Sequence, residues 1–328
     1  MNLSAQTQTP LSVVQMLALS ADEWAARNPP EPVEYAPLKQ KGIDLWMKRE
    51  DRLHPQVSGN KAYKLLGHWQ QANAQNASCL LSFGGYYSNH LHALANFGAS
   101  VGVNTVGIIR GHEPERLTPT LEDCRALGMT LKFVSRQRYR DKLDPQWLAQ
   151  LSEEFPRAYI IPEGGADRWG MLGCSGLMSR LRTQIDLQNA TICLPCGTGT
   201  TLAGMASVSI AGETLLGFSA LKLGERYQQY CDEIACMMEG FDSFGRWSIN
   251  ADFHCGGFAR QTPELLAFSQ DFEESTDIAL DPVYTAKMMF GIVQLASQGR
   301  WNPGQRIIAI HTGGLQGRRS PGITDDLN

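Results

Sequence analysis

Short β-branched and apolar runs alternate with stretches of helical periodicity along nearly the whole chain, and this alternation limits the fold more than any other feature. The segments IDLWMK, SCLLSFGG, NTVGIIRG, MTLKFV, RAYIIPEGG, ATICLPCG, ETLLGFSAL and QRIIAIHTGG read as strands. Between them, TPTLEDCRALG and DPVYTAKMMFGIVQLASQG carry apolar residues at helical spacing. Strands joined through helices must lie parallel, in sheets covered on both faces. The expected fold class is therefore α/β, with open, mostly parallel, twisted sheets. The 328 residues, 43% of them hydrophobic, suffice for two such units.

Many of these strands run into glycine: Gly84-Gly85, Gly111, Gly164-Gly165, Gly197 and Gly313-Gly314. In open α/β sheets the ligand lies beyond the carboxyl ends of the strands, where glycine lets backbone come close to it. Several such ends in one chain point to a shared pocket. Net charge is −4, from 29 basic and 33 acidic residues, so nothing calls for nucleic acid as a partner. The densest basic run, Arg136-Gln-Arg-Tyr-Arg140, is short and abuts Asp141, as a solvated face does. Eight cysteines in apolar surroundings fit buried free thiols in a reducing compartment. Cys193-Leu-Pro-Cys196 has the CxxC spacing of a metal or redox site, but no second CxxC or histidine pair accompanies it, and a strand would bury both thiols. No run is long and apolar enough to span a bilayer. The weakly apolar LSVVQMLALSA has no basic residue before Arg27, so a secretory signal would lack its charged start and a cytoplasmic location is expected. The C-terminal LQGRRSPGITDDLN reads as a segment that frays.

Two stretches carry chemistry. TICLPCGTGTTLAGM is strand, loop and helix, and Gly197-Thr198-Gly199-Thr200-Thr201 offers successive N–H groups and three hydroxyls at the helix start. A nucleotide P-loop needs Gly-Lys-Ser/Thr there, and a dinucleotide fingerprint needs glycine where Leu202 stands. A cup of neutral donors suits one small phosphate monoester; a helix simply capped by threonine is the plainer reading. The second stretch is Ser58-Gly59-Asn60-Lys61-Ala62-Tyr63-Lys64-Leu65, where a tight turn delivers a lysine to a helix start. A phosphate site, a lysine after a turn and glycine-rich strand ends are together the parts of a pyridoxal-phosphate enzyme.

The motifs RED…SGNKAYKL, GGYYSNH, IIPEGG, CGTGTTLAGM, LDPVYTAKMM and IHTGG, in this order from about residue 49 to 314, resemble the 1-aminocyclopropane-1-carboxylate deaminase and D-cysteine desulfhydrase family. That family has the tryptophan-synthase-β-like fold of pyridoxal-phosphate enzymes. The resemblance implies that Lys61 carries pyridoxal 5'-phosphate as a Schiff base and later moves the proton at the substrate Cα. It implies that Asn89 bonds the cofactor's phenolate oxygen, and that Ser88 with the amides of Ser88-Asn89-His90 holds the substrate carboxylate. Gly197, Thr198, Gly199, Thr200 and Thr201 would hold the phosphate, and Tyr284 would serve as an acid or base. Lys64 is shared with the family and reads equally as a surface lysine or a supporting charge. The implied architecture is a larger domain from residues 1–60 and 166–328 with a smaller one, 61–165, inserted, assembled as a homodimer acting on a small amino acid.

Deaminase members carry Glu after the tyrosine of DPVY and Leu after the histidine of the last motif. This chain has Thr285 and Thr312 there, as desulfhydrases do. A carboxylate near the cofactor's pyridine nitrogen favours its protonation and deepens the electron sink, which ring opening of a cyclopropane needs. A hydroxyl suffices when thiolate leaves from Cβ, so β-elimination from D-cysteine is the expected reaction. The cyclopropane deaminase, another small-amino-acid eliminase and a non-catalytic pyridoxal-phosphate or phosphate binder stand as alternatives. The chain departs from the family in several places: Tyr63 replaces Arg, Tyr86, Tyr87, His90 and His92 stand where relatives have other side chains, Gly-Gly-Leu-Gln-Gly-Arg-Arg-Ser replaces the usual GGxPAL, and a count back from DPVYT puts Phe258 near an active-site tyrosine's place.

Overall fold

The computed structural model describes residues 12–319. Its strands are β1 Glu31–Pro32, β2 Asp44–Arg49, β3 Cys79–Gly84, β4 Asn104–Arg110, β5 Thr130–Val134, β6 Ala158–Ile161, β7 Ala190–Cys196, β8 Thr214–Ser219, β9 Arg246–Asn250 and β10 Arg306–His311. Each of the eight strands expected from the sequence overlaps one of these. The other two, β1 and β9, lie at sheet edges, where the pattern is weakest. β1 is two residues long and includes a proline, which only an edge tolerates; in β9 only Ile249 is buried.

The strands form a six-stranded sheet, β1-β2-β10-β7-β8-β9, and a four-stranded sheet, β5-β4-β3-β6. Only the β1–β2 pairing is antiparallel. In the central strands β3 and β7 every residue is buried, as parallel strands covered on both faces require. Alternation along β7 sends Cys196 into the core cluster with Leu194 and Leu202, and Cys193 into the one with Met47 and Met288. The CxxC thiols thus face opposite sides of the sheet, buried and free. The chain enters the larger sheet through β1 and β2, builds the smaller sheet over residues 79–161, and returns through β7 to β10.

Helix Asn60–Ala74 packs against helix Arg168–Gln184 through glycine. A Cβ at Gly67 would lie 2.1 Å from the Trp169 carbonyl oxygen, and one at Gly173 2.0 Å from that of Tyr63. Tyr63, where the family has Arg, donates to Glu50 Oε2 at 2.7 Å. The cation comes instead from β2: Lys48 Nζ lies 2.9 Å from Glu50 Oε1 and also donates to the Ala25 and Asn28 carbonyls. The fully buried Glu50 carboxyl thus has both a charge partner and a hydrogen-bond donor, which oppose without cancelling the rise in its pKa that burial causes.

In the expected basic face, Arg136–Arg140 is a short helix whose Tyr139 is buried while Arg138 stacks 4.6 Å from the Trp147 ring centre. The apolar N-terminal stretch is helical over Val13–Leu17, and the buried Trp24 indole donates to the Met16 carbonyl. At the other end Leu315–Arg319 makes one 3-10 segment; residues 320–328, the rest of the expected fraying tail, lie outside the described residues. Among the described residues no helix is long and apolar enough to cross a membrane.

Candidate functional site

The carboxyl ends of β3, β7 and β10 open onto one cavity of about 540 Å³, within the range of small-molecule sites. Its lining brings together Lys61, Ser88, Asn89, His90, Tyr284, Thr312 and the whole of Gly197 to Thr201. Of the residues that the resemblance assigns to cofactor, substrate or catalysis, Thr285 alone does not line it, and of the strand-end glycines Gly84, Gly111 and Gly165 do not. The Thr285 hydroxyl accepts from the Asp281 amide at 2.6 Å and donates back to the Asp281 carbonyl at 3.2 Å.

Lys61 is delivered by a turn that only glycine can make. Gly59 has φ +65°, and a Cβ there would stand 1.9 Å from the Thr312 carbonyl oxygen at the end of β10. The same carbonyl accepts the Asn60 amide at 3.3 Å, and the Asn60 side chain donates to Thr201 Oγ1 at 2.9 Å. The lysine start of helix Asn60–Ala74 is thereby tied both to β10 and to the threonine loop. Lys61 Nζ donates to Asn60 Oδ1 at 3.1 Å. Burial, with the nearby Lys64 charge adding to it, lowers the Lys61 ammonium to about 7, so a large share of it is neutral amine near neutral pH.

The threonine loop begins helix Thr200–Ala206 with Gly199 at φ +74°, and a Cβ there would meet Ile234 Cγ1 at 2.4 Å. Thr198 and Thr200 share a hydrogen bond of 2.8 Å, and Tyr230 donates to the Gly197 carbonyl at 2.9 Å. Lys64, a surface residue on one reading of the sequence, is 3% exposed. Its ammonium donates to the Gly164 carbonyl at 2.9 Å and lies 3.4 Å from Thr198 Oγ1, so the cup has a cation at its side.

Ser88 caps helix Asn89–Val101, its oxygen accepting from the Leu91 amide at 3.2 Å. Asn89 Oδ1 accepts from Gln316 Nε2 at 2.7 Å, which fixes the amide and leaves Nδ2 as its donor. His90 is buried, with Nε2 3.0 Å from Ser82 Oγ. Ser82 donates its only hydrogen to the Ile161 carbonyl at 2.8 Å, so His90 Nε2 must be the donor and Nδ1 the bare acceptor. Burial, and then the Lys61 and Lys64 charges, hold the imidazole neutral. His92 also lines the cavity, but its Nε2 is engaged with Asp123, which Arg319 holds from the other side.

Tyr284 precedes helix Thr285–Ser297. Its ring lies 3.0 Å from where a Gly197 Cβ would be and packs edge-on against Phe258 at 6.0 Å. Phe258 does line the cavity, 49% exposed, and has no hydroxyl to offer. Asp281, the first residue of DPVYT, carries no role in the sequence reading. In the fold it is 1% exposed and lines the cavity, with Oδ1 accepting from the Tyr284 amide at 2.6 Å. Oδ2 has no hydrogen-bond partner among the described residues, and burial raises the carboxyl to about 6. Gln316 and Tyr230 were equally silent in the sequence, because neither sits in a motif with chemistry of its own.

A low-pKa lysine amine, a glycine-threonine anion cup, an oriented amide donor and a buried carboxyl with an open oxygen are what pyridoxal phosphate asks of a site. The match to known proteins agrees. Residues 27–313 match the pyridoxal-phosphate dependent enzyme family. The chain belongs to that family. It is 29% identical over 294 residues to an Arabidopsis thaliana bifunctional D-cysteine desulfhydrase/1-aminocyclopropane-1-carboxylate deaminase, covering 84% of this chain and 73% of that one. It is 26% identical over 306 residues to a Klebsiella pneumoniae D-cysteine desulfhydrase, covering 87% and 92%. In fold it is similar to the crystal structure of an ACC deaminase homologue, with TM-score 0.72, 23% identity and 94% and 96% of the two chains covered. It is also similar to a Helicobacter pylori cystathionine β-synthase, with TM-score 0.65, 14% identity and 93% and 98% coverage. The protein is thus a pyridoxal-phosphate dependent enzyme of the fold these structures share.

Proposed function

We propose that this enzyme is a lyase of the D-cysteine desulfhydrase type, turning a small amino acid with a leaving group at Cβ into pyruvate and ammonia. The observation that carries this reading is the half-buried Lys61 amine, its pKa lowered, lining one cavity with the threonine cup and the hydroxyl residue Thr312. When bound, the cofactor supplies the electron sink that makes the substrate Cα–H acidic. Lys61 is the group that holds the cofactor and then takes that proton, and its lowered pKa suits a base working near neutral pH. Gly197 to Thr201, with Lys64 at Thr198, hold the phosphate; Asn89 Nδ2, aimed by Gln316, donates to the phenolate oxygen. Ser88 and the first amides of helix Asn89–Val101 orient the substrate carboxylate. Tyr284 is the hydroxyl placed to give or take a second proton.

For D-cysteine the Cα–H proton leaves, the Cβ–S bond breaks with its electron pair on sulfur, and one water converts the remainder to pyruvate and ammonia. A second reading, 1-aminocyclopropane-1-carboxylate deaminase, is favoured by one observation. The buried Asp281 carboxyl could supply the charge that Thr285 and Thr312 do not. Release of 2-oxoacid by the loaded enzyme from D-cysteine, L-cysteine and 1-aminocyclopropane-1-carboxylate, side by side, decides between them. Pyruvate from D-cysteine alone supports the first reading; 2-oxobutyrate from the cyclopropane overturns it.

The division into residues 1–60 with 166–328 and an insert of 61–165 belongs to the same reading, as do a homodimeric assembly and a cytoplasmic location. The two separate sheets support the division.

A further inference from the structure

Although the whole chain is acidic, with net charge −4, the mouth of its cavity is cationic. Three guanidiniums, those of Arg110, Arg136 and Arg260, line it. The acidic lining residues are Asp281, whose Oδ1 already accepts backbone amides, and Glu163, which pairs with Lys142 at 3.3 Å.

The arginines come from both sides of the cleft. Arg110 ends β4, and its Nη2 lies 3.6 Å from where a Gly85 Cβ would be, so the guanidinium overhangs the turn that leads to Ser88. The Tyr139 ring, 5.9 Å from its Cζ, backs it. Arg110 pairs in register with Val134 of β5, and Arg136 follows two residues beyond. Arg260 belongs to the loop between β9 and helix Pro263–Thr276 on the larger sheet. That loop is fixed: the buried Lys287 donates to the Gly257 carbonyl at 2.6 Å, and the Arg260 amide donates to the same oxygen at 3.2 Å. The Arg260 stem lies along Gly256, whose Cβ would be 3.3 Å from Arg260 Cβ.

The assigned anions do not use these groups. The phosphate has the threonine cup and Lys64, and the α-carboxylate has Ser88 and its helix start. We propose that Arg110, Arg136 and Arg260 form a subsite for a second anionic group on the substrate, borne on the Cβ substituent. The preferred substrates are then amino acids whose leaving group is itself an anion, such as a phosphate ester. Guanidiniums suit this task because their planar forks grip phosphate and carboxylate bidentately. They would also receive the charge that builds on the leaving group. For O-phosphoserine the Cα–H proton is lost, the Cβ–O bond breaks with its electrons on phosphate, and one water yields pyruvate, ammonia and inorganic phosphate.

This inference rests on the reading of the site as an eliminase, and the test separates the two. Binding of 2-amino-3-phosphonopropionate, whose C–P bond cannot be eliminated, is compared with binding of alanine by calorimetry on the cofactor-loaded enzyme, using both enantiomers. The expected result is at least tenfold tighter binding of the phosphonate, falling steeply as salt is raised. Arg110→Gln and Arg260→Gln should each remove most of that preference while alanine binding moves less than about twofold. No preference in the native enzyme overturns the proposal. An equal loss for alanine and phosphonate in Arg110→Gln also overturns it, because Arg110 would then serve the α-carboxylate. Pyruvate release from β-chloroalanine is measured in parallel. Its absence, with the phosphonate preference intact, sinks the eliminase reading and leaves the anion subsite supported.

Discussion

Replacing Gly59 with alanine tests how the fold presents its lysine. At φ +65° any side chain costs about 1–2 kcal/mol in left-handed strain. The new methyl would also stand 1.9 Å from the Thr312 carbonyl oxygen, 2.4 Å from its carbon and 2.8 Å from the Gly313 nitrogen. All three are backbone atoms at the end of a central strand, so relief requires the chain to move, at a further cost of about 1–3 kcal/mol. Gly102 is the natural control: its φ is +71°, and nothing lies within 4 Å of a Cβ there. Urea denaturation of the two variants should show Gly59→Ala destabilised by ~2–5 kcal/mol and Gly102→Ala by ~1–2 kcal/mol. Gly59→Ala should also capture pyridoxal phosphate slowly or not at all, read from the visible absorbance of the bound cofactor, because Lys61 is displaced with the turn. Equal stability of the two variants, with normal cofactor capture by Gly59→Ala, would refute the close approach of this turn to β10.

Other parts of the site give sharper chemical readouts. Thr198→Val should weaken pyridoxal phosphate binding about tenfold and leave binding of unphosphorylated pyridoxal nearly unchanged, since it removes one hydroxyl donor from the cup; equal loss for both ligands would contradict the assignment. Lys48→Met should cost ~3–5 kcal/mol of stability in urea, because it strands the buried Glu50 carboxylate, and Tyr63→Phe ~1–3 kcal/mol. Cofactor capture by the bare protein should speed up through pH about 7, not about 10, because the reactive Lys61 amine is the deprotonated form and its pKa is lowered. By the same sign, the folded bare protein holds fewer protons on Lys61 than the unfolded chain above pH about 7, so this group favours folding increasingly as pH rises toward its unfolded value.

The central sheets were legible in the sequence because parallel strands buried on both faces leave continuous apolar runs such as CLLSFG and ATICLPC. The edge strands β1 and β9 were not, since one is a two-residue pairing and the other is half solvated. Lys61 after its glycine turn and the glycine-threonine loop after β7 stood out in the sequence as local patterns, and the fold lines one cavity with both. Asp281 and Gln316 were hidden for the opposite reason. Asp281 received no role from the sequence because its burial at the cavity comes only with the fold, and the glutamine matters only because the fold sets it 2.7 Å from Asn89, 227 positions away. Arg136 belongs to a run that the sequence assigns to a solvated face; it is exposed, and the pairing of Val134 with Arg110 also brings it to the cavity lining. Thr285 shows the limit of motif transfer. Its position in DPVYT was expected to meet the cofactor, whereas its hydroxyl is spent on the Asp281 backbone.

The most direct test of the account is to reduce the cofactor-loaded native enzyme with borohydride and locate the modified lysine by peptide mass mapping. The expected result is a single pyridoxyl group on Lys61 and none on Lys64, although both lysines line the same cavity. Label on Lys64, on Lys287 or on no lysine would contradict it.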